Sequence, residues 1–472
     1  MRFLIFTILS FFYFCGSAQD GYKIDIDLES YTNDTLLIGY YYGDRQLVKD
    51  TLITETPGKF SFAGKDTLDP GMYILVTKPE NSFIQFMVPL DDQHFKIKGD
   101  VNIVEDISFE GSVDNDLLIN YVKYIGEKRK AIEQMDADVE MGKSTLTPDQ
   151  IAAEKAMVDA DVKAYVSRIR AEHPETVTAL LLKSNIGVDV PEYEGTAEEV
   201  QINQYLYYKK HYFDNIEMDN PAALRTPFLH KRIDYYMEKL TVQHPDTIKL
   251  SMDYILEKVS PAEKTYQFYL SHFLNKYANS KVVGFDALYV HLVDKYYDKG
   301  KAPWIDEETL LKIKDNADNL RPVLIGKVVP DITVYKEDNT PISLSDIDAD
   351  YTVLYFWAPD CGHCKKSIPK VVEFNEKYKD KGVKVFAICT KHKEKTKGCW
   401  EELEERNMLG FINAADEHHK SRFKIKFNVK TTPKIFILNR NREILMKNIG
   451  SEQLEKVMDN IIKTFSATDI QN

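Results

Sequence analysis

Cys361 and Cys364 stand with two residues between them, in the run Trp357-Ala358-Pro359-Asp360-Cys361-Gly362-His363-Cys364. The apolar stretch before them, Val353-Leu354-Tyr355-Phe356, reads as a buried strand. Lys365-Lys366-Ser367-Ile368-Pro369 then opens a helix. A cysteine at a helix start meets unpaired backbone N–H groups and the positive end of the helix dipole. That setting favours the thiolate, the reactive form of sulfur. A second cysteine one turn further on can attack the mixed disulfide formed by the first, which is the geometry dithiol–disulfide exchange needs. A Cys-x-x-Cys pair is also half of a zinc site, and Cys389, Cys399, His392 or His418 could supply further ligands. The strand-to-helix setting favours the redox reading.

The elements that must hold this pair lie between about residues 321 and 472. Ile332 to Tyr335 and Ile342 to Leu344 flank a Glu337-Asp338-Asn339 turn, a β-hairpin signal. Tyr351 to Trp357 is the first central strand, and the cysteine-bearing helix runs to about Tyr378. Val383 to Ile388 reads as a strand and Lys397 to Asn407 as a helix. Ile435 to Leu438 and Ile444 to Asn448 are the last strands, and Glu452 to Thr464 is the closing helix. The order is β-α-β-α-β-β-α after an N-terminal hairpin. Asp315 to Pro322 reads as a polar linker into this domain.

Three features of this region, in this order and spacing, resemble a thioredoxin-fold domain: Trp-Ala-Pro-Asp-Cys-Gly-His-Cys, Pro369 five residues after the second cysteine, and Thr431-Thr432-Pro433 before a strand. Gly326-Lys327-Val328-Val329-Pro330-Asp331-Ile332 is similar to the lead-in of the TlpA-like branch, the envelope thioredoxins of bacteria. The resemblance covers roughly the last third of the chain. It implies that Cys361 is the attacking nucleophile and Cys364 its buried resolving partner. It implies that Gly362 and His363 tune the redox poise, that Trp357 packs under the site and that Pro369 kinks the helix. Pro433 matches a proline that is cis in this fold, and the backbone of Thr432 matches the segment that pairs with an incoming peptide. A protonated His363 favours the thiolate, whereas a carboxylate at Asp360 opposes it. Two departures stand out. Tyr355 occupies the place of a buried aspartate of thioredoxins, and Ser367 that of a glutamate found in several TlpA-like reductases. Neither carboxylate is present to move the proton of the resolving cysteine, so the transfer uses water or a residue from elsewhere such as Asp360 or Lys366, or proceeds slowly.

Length and composition bound the rest. At 472 residues the chain is too long for one core. A net charge of −13 with no basic tract argues against nucleic acid as a partner. Arg2 followed by the apolar run Phe3 to Phe14, with Gly16-Ser17-Ala18 after it, reads as a signal peptide over residues 1–18. Cys15 offers lipid attachment as the alternative, against which stands Phe14 where a small residue is usual. Either route exports the protein to the periplasm or cell envelope. After cleavage Cys361, Cys364, Cys389 and Cys399 remain. Cys389 and Cys399 could pair, or Cys389 could pack as a buried thiol.

Residues 19–111 alternate apolar and polar in short runs: Tyr22 to Leu28, Leu36 to Tyr42, Lys59 to Ala63, Met72 to Thr77, Ser82 to Val88 and His94 to Lys98. Turn signals separate them, which predicts a small all-β sandwich or barrel. Its lone His94 reads as structural. Residues 112–320 carry helical periodicity, with Thr147-Pro148-Asp149-Gln150 as a helix start. Tyr205, Tyr207, Tyr208 and Tyr212 read as core packing, and the stretch with Glu192, Glu194, Glu198 and Glu199 as a solvated loop and helix start. Neither region offers a nucleophile, a metal cluster or a phosphate loop.

The expectation is therefore a multi-domain chain, with an N-terminal all-β domain, a central α-helical domain and a C-terminal α/β thioredoxin fold. Its expected function is that of an exported thiol–disulfide oxidoreductase acting as a reductase on disulfides of envelope proteins. It would draw electrons from a membrane-embedded thiol donor and need no metal or organic cofactor. The alternatives are a disulfide isomerase, suggested by Cys-Gly-His-Cys, and a non-catalytic binding or scaffold protein carrying a thioredoxin-like module. A peroxidase is disfavoured, because that branch uses a single peroxidatic cysteine in a threonine-containing loop.

Overall fold

The structure, a computed structural model, describes residues 21–79, 81–103 and 106–468, with side chains to 464. The leader expected at 1–18 and Cys15 lie outside the described residues. Packing divides the chain into two compact units, Met1–Val242 with Ser251–Tyr269, and Gln243–Leu250 with Leu270–Asn472.

The first unit begins with eight strands: β1 (Tyr22–Glu29), β2 (Thr35–Tyr42), β3 (Arg45–Ile53), β4 (Lys59–Gly64), β5 (Gly71–Thr77), β6 (Phe83–Val88), β7 (His94–Asp100) and β8 (Ser108–Glu110). They form two four-stranded sheets, ordered β4-β1-β7-β8 and β3-β2-β5-β6. Both sheets feed one core: Ile24, Ile26, Phe62 and Ile97 from the first, Ile38, Leu75 and Phe86 from the second. The sandwich expectation holds. Two strands escape a reading by alternation. The first is β3, an edge strand whose side chains are nearly all exposed. It therefore carries no inward apolar face to betray it. The second is β8, only three residues long.

Helices follow: α1 (Val113–Glu140), α2 (Pro148–Glu172), α3 (Val177–Ser184), α4 (Ala197–His211) and α5 (Leu229–Lys239), then α6 (Pro245–Val259) and α7 (Glu263–Ala278). Thr147 and Gln150 form the reciprocal capping box that starts α2. The carboxylate of Asp114, buried near the start of α1, accepts the backbone N–H groups of Val177 and Thr178 at 2.8 and 2.7 Å, closing the N-terminus of α3. The tyrosine cluster needs correction. Only Tyr212 is buried, Tyr207 and Tyr208 are partly covered, and Tyr205 is exposed. No residue of α4 is buried, so helical spacing alone overstated its burial.

The second unit contains α8 (Asp286–Leu292) and α9 (Glu307–Leu320). The expected linker from Asp315 is thus mostly the last turns of α9, capped at its start by Asp306. Its polarity marks an exposed helix face, not a loop. A seven-stranded sheet follows, built from β9 (Thr333–Tyr335), β10 (Pro341–Ser343), β11 (Tyr351–Trp357), β12 (Val383–Cys389), β13 (Ile412–Ala415), β14 (Lys434–Asn439) and β15 (Ile444–Lys447). Their order across the sheet is β10-β9-β13-β12-β11-β14-β15. Helices α10 (Gly362–Tyr378), α11 (Lys397–Glu405), α12 (Phe423–Lys426) and α13 (Leu454–Thr468) complete the unit. The observed order has one strand more than expected, because β13 inserts between β12 and β9. Its four residues, with Asn413 among them, are too short and mixed to stand out by pattern.

Central β11 pairs in parallel with β12 and antiparallel with β14. Val353, Tyr355 and Trp357 face one core with Ile368, Phe374 and Met458; Leu354 and Phe356 face the other with Phe423, Phe427 and Phe436. A strand covered on both faces must be apolar at successive positions, which is why Val353 to Trp357 reads as an unbroken run.

Candidate active site

Cys361 is the N-cap of α10, and its Sγ accepts the backbone N–H of Cys364 at 3.1 Å. The same sulfur reaches the carbonyl of Thr432 at 3.2 Å as a donor. Both thiols are free; Cys361 is partly exposed and Cys364 fully buried. Burial disfavours the Cys361 thiolate, but hydrogen bonds from the side chains of Cys364 and Thr432 and from the backbone of Cys364 and His363 outweigh it. The result is a pKa below the ordinary thiol value. Burial, reinforced by the neighbouring Cys361, pushes the Cys364 thiol up to about 12. Two thiols three residues apart are thus driven in opposite directions, one towards attack and the other towards holding its proton.

The expected supporting residues fall around this pair. Trp357 is buried at the end of β11, and its carbonyl accepts the backbone N–H of Thr390 at 2.8 Å. The Thr432–Pro433 bond is cis, and the Thr432 carbonyl lies at the Cys361 sulfur. His363 is exposed on the first turn of α10. Gly362 has open space where a Cβ would stand, so sterics alone do not demand glycine there. Pro369 lies inside α10, which continues through it to Tyr378.

The two departures from the thioredoxin pattern meet each other. The Tyr355 hydroxyl lies 2.7 Å from Ser367 Oγ, which in turn donates to the Cys364 carbonyl at 3.1 Å. Both are buried. Burial pushes the Tyr355 pKa up, with the cysteines adding to the effect, so it stays a neutral hydroxyl. Sequence reading treated the two positions as separate losses; their contact depends on strand and helix packing. Asp360 requires a correction. It pairs with Lys391 at 2.6 Å, which holds its carboxyl below the usual range. Its charge is compensated by a lysine.

Cys389 and Cys399 are joined by a disulfide, with Cα atoms 6.2 Å apart. Two of the side chains that could have completed a zinc site are therefore engaged with each other.

A cleft of about 680 Å³ opens beside the cysteines, lined in part by His363, Lys366, Thr431, Pro433 and Lys434. Sequence reading missed it, although a lysine flanks Thr431-Thr432-Pro433 on each side, at Lys430 and Lys434.

Residues 325–446 match the model of the AhpC/TSA family. The C-terminal third is a thioredoxin-like domain. Residues 22–118 and 159–322 match two domains of unknown function, DUF4369 and DUF5106. Over 140 residues the chain is 29% identical to the thiol-disulfide oxidoreductase ResA of Bacillus cereus, a match covering 29% of this chain and 78% of that protein. Among solved structures, a domain of a possible thiol-disulfide isomerase from Cytophaga hutchinsonii is 29% identical and covers 30% of this chain and 97% of its own, with a TM-score of 0.29. A thioredoxin-like protein from Bacteroides caccae is 17% identical and covers 58% of this chain and 97% of its own, with a TM-score of 0.44. The likeness to ResA and to the AhpC/TSA model makes this domain a thiol–disulfide oxidoreductase. Among the described residues no helix is long and apolar enough to cross a membrane.

Proposed function

We propose that this protein is an exported reductase of disulfides in envelope proteins, working through Cys361 and Cys364. The observation that carries the reading is the Cys361 sulfur at the N-cap of α10, with its depressed pKa, beside a buried Cys364 whose pKa is raised. The Cys361 thiolate attacks one sulfur of a substrate disulfide. A Cys361–substrate disulfide forms, and the other substrate sulfur leaves as a thiolate that takes a proton from solvent. Cys364 then loses its proton and attacks the Cys361 sulfur. The second substrate sulfur leaves, and Cys361–Cys364 becomes the disulfide. Two electrons pass to the substrate, and a membrane thiol donor returns them. The Tyr355–Ser367 hydroxyl pair, set against the Cys364 carbonyl, offers no carboxylate to take the Cys364 proton, so water entering beside Cys361 takes it. Export rests on the leader at 1–18, with attachment through Cys15 as its lipid-anchored form. The division 19–111, 112–320 and 321–472 is part of the same proposal.

Equilibration of the Cys361–Cys364 couple against a thiol buffer tests the direction. A potential of about −270 mV fits a reductase, and one of about −120 mV would turn the reading to isomerase or oxidase. Cys361→Ser reduces turnover to the uncatalysed background, and Cys364→Ser accumulates mixed disulfides with substrate. A Cys361→Ser protein that kept full biological activity would return the scaffold reading.

A further inference from the structure

The cleft beside Cys361 has a charge opposite to that of the molecule. The chain carries −13 overall, yet His363, Lys366, Lys370, Lys430 and Lys434 line this one cavity, with Glu452 as the single carboxylate among its lining residues. Lys370 is paired with Glu373 at 3.0 Å. Lys434 is half-buried; among the described residues its Nζ meets no carboxylate and donates instead to the Asn428 carbonyl at 2.7 Å. Burial, together with Lys447 and Lys430 nearby, pulls the Lys434 pKa down to about 8, and the acid that opposes them, Asp286, is already engaged by Lys447. A partly buried cation without a counter-ion is costly and is relieved by an anion that arrives from outside. The cleft also lies next to the chain segments that carry the reacting sulfur. His363 lies two residues beyond Cys361, and Thr431 and Pro433 flank Thr432, whose carbonyl contacts the Cys361 sulfur.

We propose that this cleft binds an acidic segment of the substrate protein, next to the disulfide that Cys361 attacks, with substrate carboxylates against Lys366, Lys430 and Lys434. The proposal rests on the reductase reading and adds the substrate class. The occupant is a peptide, because it must present a disulfide to Cys361 while filling the cleft. The charges accelerate encounter and set preference among substrates, and they act less as salt screens them.

The test uses the reduced full-length protein, a neutral small disulfide (bis(2-hydroxyethyl) disulfide) and three peptides with one disulfide flanked by Glu, Gln or Lys. The expected result is a kcat/KM for the Glu peptide about tenfold or more above that for the Lys peptide at low ionic strength, carried mainly by KM and shrinking as salt is raised. Replacement of Lys434 risks the fold because it is half-buried, so the exposed pair Lys366→Glu and Lys430→Glu carries the variant arm. In that double variant the order of the Glu and Lys peptides reverses. Equal kcat/KM for the three peptides, with the neutral disulfide still reduced, would overturn the charge preference alone. Failure to reduce any of the four disulfides would overturn the reductase reading and this proposal with it.

Discussion

Strands β1 and β11 show how differently the two ends of the chain use a sheet. In β1, Ile24, Ile26 and Leu28 point inward while Lys23, Asp25 and Asp27 point away from the core. In β11 every residue after Tyr351 is buried, because cores lie on both faces. In an α/β sheet the carboxyl end of such a strand faces the start of the helix that follows. Cys361 and Cys364 occupy that junction between β11 and α10. The sandwich strands are joined mostly by turns, so none of its strand ends meets a helix N-terminus until α1 follows β8. The cysteine pair thus follows the connection between elements more than the strands themselves.

The largest effects expected from breaking this contrast come from the two cores. Phe374→Ala and Phe86→Ala each cost about 3–5 kcal/mol in urea unfolding, since both rings are fully buried. Phe374 shares its core with Cys364, and Phe86 sits in the sandwich core. The first therefore shifts the Cys361–Cys364 potential and the second leaves it unchanged. An equal shift in both variants would remove the distinction between the regions.

Next comes the second disulfide, whose counterpart the sandwich lacks. The double variant Cys389→Ala with Cys399→Ala opens a bridge of sequence separation 10 and lowers stability by about 2–3 kcal/mol. Unfolding with and without a reductant strong enough to open that bridge measures it, and no difference would mean the bridge contributes nothing. A smaller effect follows from Tyr355→Phe. It removes one buried hydrogen bond but leaves Ser367 bonded to the Cys364 carbonyl, so it costs about 1 kcal/mol. A loss several times larger would give the hydroxyl pair a weight its geometry does not predict.

The finest comparison is in pH. Cys364 holds its proton more tightly folded than unfolded, so its contribution falls as pH rises from the unfolded thiol value of about 8.5 towards about 12. The stability gap between the reduced protein and Cys364→Ala therefore narrows from pH 8 upward. Cys361 works the other way: its contribution is present above about 8.5 and is lost as pH falls through its depressed folded pKa. Iodoacetamide should accordingly reach half-maximal rate with Cys361 below about pH 8.5. The same rate reached only above that value would place Cys361 outside the influence of the α10 N-terminus. The sandwich, which has no cysteine, contributes nothing to either measurement.

Patterns of period two and runs of apolar residues are local, and they were legible. Six of the eight sandwich strands and the positions of β11, α10, β12 and β14 could be read directly, as could both cysteines and Thr432-Pro433. Edge strand β3 was not legible, because a strand that buries nothing has no amphipathic signature. Nor was the end of α9, whose polar face mimics a loop. At the site, residue types and spacing determined that a helix start would hold the two cysteines, since a helix N-terminus acts on the residue beside it. Tertiary structure alone decided three things: that Tyr355 and Ser367 bond to each other, that Lys391 takes the charge of Asp360, and that lysines from α10 and from the segment around Pro433 share one cleft. Each of these joins residues far apart in the chain, and their distance is set by how the helices lie on the sheet, which no local pattern encodes.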